Sequence, residues 1–313
     1  MTPWRGLVGS DRLEAWRANV GAPVALDLAP AARRGAGHGL VVVSWNLWIG
    51  RGRLRDVVAR VRDTTDAPLI VLAQEAYRSD ATVPPRSAHR ALRRCAGGFT
   101  RRSHQREDIV ETAHAMGLNL RYIPSMRNGA GDSDRGNAIL ADLPLADARG
   151  FELPLVLQRR VPVTASLPLA SGPLHLVSAH LDPRGPPGAE WLGGAGRARQ
   201  TLHMLEQMDA DAVVLGADLN LGRGRRERSW RLLRDAAFAA GVPETPPRWG
   251  HTFHGVPRLV LDYVLVRDVG GRVRHAAVER LDEHPRDRGP TVFGSDHHPL
   301  VARLELHPHG DRP

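Results

Sequence analysis

Short apolar runs, each closed by a polar residue, recur along this chain and limit what it can fold into. Asn46 ends VVVSWN, Glu75 follows IVLAQ, His180 follows LHLVSA, and Asp218 follows VVLGA. Asp262 interrupts RLVLDYVLV, and Asp296 with His297 precedes a last run at 300–306. Runs this short and this apolar read as β-strands buried in a sheet. A polar side chain at a strand end is cheap when it points into a cleft, whereas burying a charge in the core costs several kcal/mol. A single such residue carries little weight, because strands often close with a polar cap. Six of them with matching chemistry are hard to dismiss.

The rest of the chain reads around these runs. Strands are expected at 40–46, 69–74, 119–123, 137–141, 161–167, 174–180, 212–216, 259–267 and 300–306. Leu54, Val57, Val58 and Val61 recur at helical spacing and predict an amphipathic helix over 53–63, with a second near 107–116. This periodicity supports an α/β class and nothing finer. Residues 1–39 read as an extension and linker, in which Asp11 and Glu14 suit a capping box for a short helix ending near Val20. The catalytic domain is expected over 40–307, followed by a tail at 308–313. The stretches 77–106 and 182–196 read as long loops, and 222–234 as a run of arginines leading into a helix.

Charge and cysteine usage exclude several chemistries. All 43 basic residues are arginine, so neither a lysine Schiff base nor a phosphate-cradling Walker lysine is available. The net charge of +9 suits a polyanionic partner such as nucleic acid or a phosphorylated headgroup. A lysine-free chain rich in Arg, Ala, Gly and Pro also fits biased codon usage. Cys95 is the single cysteine, so no internal disulfide and no thiolate cluster can form. No apolar run reaches membrane-spanning length. Asp11, Glu14 and Arg17 stand where a signal peptide needs apolar residues, which makes a cytoplasmic location and a monomer the default expectations.

The polar strand-end residues form a coherent set. The oxygen donors of Glu75, Asp296, Asp218, Asn46 and Asn220 suit a hard cation such as magnesium, with manganese as the alternative. His180, His297 and Asp262 supply proton handling and phosphate contacts. Taken alone, Asp262 reads equally well as a satisfied buried carboxylate. His251 and His254 sit in an expected loop with no acidic neighbour in sequence, so a zinc site there is disfavoured.

Taken in order, SWN, QE, HLD, GADLN, LDYV and SDHHP resemble the endonuclease/exonuclease/phosphatase superfamily, and they span Asn46 to Pro299. The resemblance implies a four-layer α/β sandwich, with two mixed β-sheets face to face and helices outside. It also implies roles. Glu75 would be the principal metal ligand, with Asn46 and Asp296 beside it. Asp218 would activate water, and Asn220 would hold a phosphate oxygen. His180 and His297 would contact the scissile phosphate, with Asp262 fixing the tautomer of His297. RGNAIL at 135–140 also resembles the family, although Gly136 and Asn137 suit backbone geometry as readily as substrate. Arg159, Arg160 and Arg223 are further candidates for substrate phosphates, with Arg225 and Arg226 nearby. A phosphoester is the expected substrate, with nucleic acid slightly favoured over a lipid headgroup or a small phosphoester. A non-catalytic nucleic-acid-binding module is disfavoured because no expected catalytic position is substituted.

Overall fold

The computed structural model describes residues 11–30, 39–85, 105–128, 132–183, 194–240, 250–284 and 289–307. The expected linker at 31–38, the excursion at 86–104 with Cys95, the loop at 184–193 and the tail at 308–313 lie outside the described residues.

Alternation along the apolar runs explains the layering. One sheet has seven strands in the order β1 (Val24–Leu26), β4 (Asn119–Arg127), β5 (Asp134–Ala141), β3 (Leu69–Arg78), β2 (Gly39–Asn46), β13 (Leu300–Leu306) and β12 (Val273–Arg280). The other has six: β10 (Ala239–Ala240), β11 (Asp262–Asp268), β9 (Ala212–Asp218), β8 (Leu174–His180), β7 (Val163–Leu167) and β6 (Ala146–Gly150). In β2, Leu40 and Val42 turn toward the second sheet, where they meet a layer holding Leu176, Val214 and Val264. Val41, Val43 and Trp45 turn the other way, into a cluster shared with helices α2 (Leu54–Arg62) and α3 (Ile109–Met116). A strand buried on both faces has no solvent side to keep polar, which is why these runs are continuously apolar.

The helices close the two outer faces. The buried face of α2 is Leu54, Val57, Val58 and Val61, the residues whose spacing predicts the helix. In α3, Asp108 accepts hydrogen bonds from the backbone N–H groups of Val110 and Glu111, and Gly117 ends the helix in the left-handed region. Helices α4 (Gly194–Gln207) and α5 (Arg228–Asp235) cover the second sheet through Met204, Trp230 and Leu233. The result is the expected four-layer sandwich.

Four elements lack a clear signal in the sequence. The Gly- and Arg-rich start of α4 hides a helix whose buried Arg197 is neutralised by a two-pronged pair with Glu227, at 3.0 and 2.8 Å. β6 and β12 lie at sheet edges, where one partner strand suffices and the apolar demand is weaker. β1 pairs with β4, so the segment ahead of residue 40 contributes a strand to the first sheet.

One buried carboxylate ties that segment to the first sheet. Asp134, fully buried, accepts from Arg78 at 3.1 and 2.5 Å, from the Tyr122 hydroxyl at 2.7 Å and from the Gly21 N–H at 2.8 Å. Arg78 also donates to the Ala22 carbonyl at 2.7 Å. Asp134→Ala leaves the wholly buried Arg78 guanidinium without its main counter-ion. Breaking a buried pair on one side costs about 3–5 kcal/mol, and chemical denaturation should show a loss of that size. A loss below about 1 kcal/mol would place this pair with weak surface bridges and refute its anchoring role.

Candidate active site

Two parallel strand pairs, one in each sheet, bring the polar strand ends to a common rim. In the first sheet Asn46 stands beside Gln74, and in the second His180 stands beside Asp218. β11 runs antiparallel to β9, so its first residue, Asp262, lies opposite Asp218. β13 pairs with β2, which returns the preceding turn, Ser295 to His297, to the end of β2. Ser295 Oγ donates to the Asn46 carbonyl at 2.6 Å, and Trp45 Nε1 donates to the His297 carbonyl at 2.7 Å. These bonds clamp the turn to the strand end. Neither Ser295 nor Trp45 stands out in the sequence as more than its neighbours' filler.

Glu75 reaches the rim through an irregularity. The pairing of β3 with β5 shifts register between Ala73 and Ala76, so Gln74 and Glu75 stand outside the ladder. Glu75 takes a positive φ of 49°, uncommon for a residue with a Cβ and a form of strain that concentrates at functional sites. Gln74 turns inward and donates to Ser178 Oγ and to the Gly216 carbonyl of the opposite sheet, each at 3.2 Å. The sheets approach so closely at Gly216 that a Cβ there would lie 2.7 Å from Leu72 Cδ1.

Hydrogen bonds across the two sheets aim the site. Asn46 Nδ2 donates to Asp218 Oδ2 at 2.9 Å, and the Asn220 N–H donates to Asp218 Oδ1 at 3.0 Å. Asn220 Nδ2 lies 3.0 Å from His180 Nε2 and also donates to the Leu181 carbonyl at 3.0 Å. Asn220 holds this position at a φ of 52°, a conformation that asparagine tolerates better than most residues. His297 Nδ1 lies 2.8 Å from Asp262 Oδ2, and its Nε2 lies 3.9 Å from Asp218 and 4.0 Å from Asp296. Thr252 Oγ1 accepts from the N–H groups of Leu261 and Asp262, fixing the start of β11.

Burial sets the protonation of these groups. Desolvation, reinforced by Asp262, pushes Asp218 well above the ordinary carboxylate range. Desolvation, reinforced by Glu75, lifts Asp296 to about 6. Burial alone would lower His297, but Asp262, Asp218 and Asp296 outweigh it and raise the imidazole to about 10. His180 goes the other way, well below its usual value, through burial and then the charges of Arg160, His297 and Arg135. One histidine is therefore a cation and the other neutral at pH 7. Asp296 Oδ1 is buried without a hydrogen-bond partner. Asp218, Asp262 and His297 each bring a donor atom within 4.8 Å of the others.

The arginines separate into two groups. Arg159, nearly fully buried, donates to Glu152 at 3.0 and 3.1 Å and to the Pro124 and Ser125 carbonyls, so its guanidinium faces the protein and not the rim. Arg160 is placed at the rim by Asp182 at 3.2 Å and lines a small cleft with Glu75, Arg135, Asn137 and His180. Arg223 lies beyond the rim, its N–H donating to Glu227, while Arg225 sits over the Trp230 ring. Gly136 has no room for a Cβ, which would stand 1.8 Å from the Ile123 carbonyl, and Asn137 donates to the Val161 carbonyl at 2.8 Å. A different set of arginines lines a cavity of about 700 Å³ beside the Asn46 end, between Trp48, Glu107 and Gly294. Arg51 stacks over Trp48 at 4.0 Å, and Arg106 lies over Tyr77 at 5.5 Å. Neither stands out in the sequence, although Arg51 follows Asn46 by only five positions.

The Asp262–His297 pair makes a prediction for the metal-free protein. Asp262→Asn removes the nearest charge that raises His297, so its pKa should fall by more than one unit. An NMR titration of the His297 imidazole measures this, and an unchanged value would show that the pair is not coupled.

Residues 43–297 match the model of the endonuclease/exonuclease/phosphatase family. No curated protein matches the chain. Among solved structures, an endonuclease/exonuclease/phosphatase from Beutenbergia cavernae DSM 12333 is 20% identical, over 86% of this chain and 72% of that one, with a TM-score of 0.54. TDP2 from Caenorhabditis elegans is 14% identical over 86% and 75%, with a TM-score of 0.54. The human Nocturnin catalytic domain with bound sulfate anion is 15% identical over 91% and 98%, again with a TM-score of 0.54. At these identities the likeness carries the fold, while the family match carries membership. The chain belongs to the endonuclease/exonuclease/phosphatase family.

Proposed function

We propose that the chain hydrolyses phosphodiesters with a divalent cation and that its substrate is a polynucleotide. One observation carries the hydrolytic reading. The cationic His297 stands about equally far from Asp218 and from the unpartnered Asp296 oxygen, at 3.9 and 4.0 Å. A partnerless carboxylate oxygen and a second carboxylate thus flank the imidazole nitrogen that would face a phosphate.

The residues fit a hard cation. Glu75, Asp296 and Asn46 offer only oxygen at the rim, and Asp296 Oδ1 lacks any other partner. When bound, magnesium or manganese polarises a phosphoryl oxygen and offsets its developing charge. Asp218, held on both oxygens by Asn46 and Asn220, takes the proton of the attacking water. The new P–O bond forms in line as the ester P–O bond breaks. His297, oriented and kept charged by Asp262, donates from Nε2 to the phosphate. Asn220 Nδ2, shared between His180 Nε2 and the Leu181 carbonyl, orients the neutral His180 imidazole beside Asp218.

The arginine-lined cavity favours a substrate with several phosphates. Arg51, 4.0 Å over the Trp48 ring, and Arg106, 5.5 Å over the Tyr77 ring, line that cavity. Arginine grips phosphate with paired donors, and aromatic rings stack on unpaired bases. No helix among the described residues is long and apolar enough to cross a membrane.

Chelator should abolish activity, and magnesium or manganese should restore it. Glu75→Gln should raise the magnesium concentration needed for half-maximal rate, because the amide keeps the shape and loses the charge. Full activity in chelator would sink the metal-dependent reading. On a polynucleotide, log K should fall linearly with log salt, and Arg51→Ala should reduce that slope by about 1. A shallow slope, with faster turnover of a soluble phosphomonoester than of DNA or RNA, rejects the nuclease reading and favours a phosphatase.

A further inference from the structure

Behind the catalytic histidine lies a second histidine cluster that hydrolysis does not use. The segment 251–254 is stitched to the turn 296–298. The His254 N–H donates to the Asp296 carbonyl at 2.7 Å, and the His298 N–H donates to the Thr252 carbonyl at 2.7 Å. Phe253 and His297 pair across this ladder with their rings 5.1 Å apart. Alternation sends the flanking His254 and His298 to the opposite face. There His254 Nδ1 lies 3.1 Å from His298 Nε2, and His251 Nε2 lies 3.3 Å from His254 Nδ1. All three side chains are buried, and one ring nitrogen of each lies within 4.8 Å of the other two.

Proton bookkeeping makes this cluster unusual. A neutral imidazole carries one N–H. His254 directs Nε2 at the Gly289 carbonyl, 2.7 Å away, which places its proton there. His298 Nδ1 lies 2.9 Å from Asp282 Oδ1. The inner His254 Nδ1 then turns a lone pair toward His298 Nε2 at 3.1 Å and His251 Nε2 at 3.3 Å. An extra proton could serve two nitrogens, but three converge here.

We infer that His251, His254 and His298 form a binding site for a divalent transition-metal ion of the zinc class, separate from the oxygen-rich catalytic pocket. Zinc–nitrogen bonds of about 2.0–2.1 Å set tetrahedral ligands about 3.3 Å apart, which matches the two closest spacings. Ligating histidines generally turn their outer nitrogen to a carboxylate or a backbone carbonyl, the roles of Asp282 and Gly289 here. Arg280 holds this outer layer, pairing with Asp282 at 2.8 and 2.9 Å and donating to the His251 carbonyl at 2.9 Å. Nitrogen donors select zinc, nickel or copper over magnesium, so the two pockets take different ions. The ion locks segment 251–254 to 296–298. It thereby braces Phe253 against His297 and Thr252 against the backbone of Asp262.

The test uses the full chain without a polyhistidine tag, stripped of metal, held in excess magnesium and titrated with cobalt(II). Wild type should bind one cobalt per chain with the visible absorption of a tetrahedral nitrogen site, and zinc should displace it. His251→Ala and His254→Ala should each weaken cobalt binding at least tenfold, and Asp282→Asn about 10–100-fold. Glu75→Gln, which alters only the oxygen pocket, should leave the cobalt affinity unchanged. X-ray absorption on cobalt-loaded wild type reads the ligands even if the histidine variants fail to fold. Three imidazole nitrogens around cobalt support the site. Oxygen-only coordination, displacement by magnesium, loss in Glu75→Gln, equal affinity in His254→Ala, or no bound cobalt overturns it. None of these outcomes depends on hydrolytic activity, so this inference and the proposed function can fail separately.

Discussion

Two sheets pressed face to face through an apolar layer leave an unpaired charge one place to go, which is the rim. Leu40, Val42, Ile70 and Leu72 of the first sheet meet Leu176, Val214 and Val264 of the second, and all are buried. The outer faces are covered as well, so neither surface of the central strands can hold a charge without a partner. Only beyond the last apolar residue does each strand reach water or a partner. The parallel pairs β2–β3 and β8–β9 end at the same rim, and the hydrogen bond from Asn46 to Asp218 joins them there. The site is a consequence of how the core is closed.

The same closure sets the electrostatics. Asp218, Asp262 and Asp296 are crowded where water is scarce, and each ionised carboxylate raises the cost of the next. His297 relieves part of that cost by holding a proton. His180, a short distance away, faces Arg160 and Arg135 and stays neutral. Two imidazoles on one rim are thus pushed in opposite directions, His180 down by burial and the nearby cations and His297 up by three carboxylates. That division suits a site that must bind an anion and also remove a proton from water.

Arginine serves three purposes in this lysine-free chain. Arg78, Arg159 and Arg197 are buried and matched to Asp134, Glu152 and Glu227, where the planar fork satisfies a carboxylate from two directions. Arg160 is set at the rim by Asp182. Arg51 and Arg106 lie over aromatic rings and line the open cavity. Composition alone reports one positive charge per arginine and cannot tell these purposes apart.

The strand ends, by contrast, were legible from the chain itself. A run such as VVLGAD or LHLVSAH states both that the strand is buried and where burial stops, because period and polarity are local properties. The helix at Leu54–Arg62 was legible for the same reason, while α4 and the edge strands were not, since their burial depends on partners distant in sequence. Glu75 could be placed at a strand end, but the register shift and positive φ that bring it to the rim come from pairing with β5. Nothing local distinguishes the enclosed Arg159 from the rim-facing Arg160, and only folding places Glu152 under one and Asp182 beside the other. His251 and His254 read as loop residues until β13 brings His298 against them. Sequence alone determined which apolar runs would be buried and where each would end, because hydrophobic periodicity is written into adjacent positions. Tertiary structure decided which of those ends meet, because hydrogen bonds and lone pairs act over about 3 Å in space, whatever the separation along the chain.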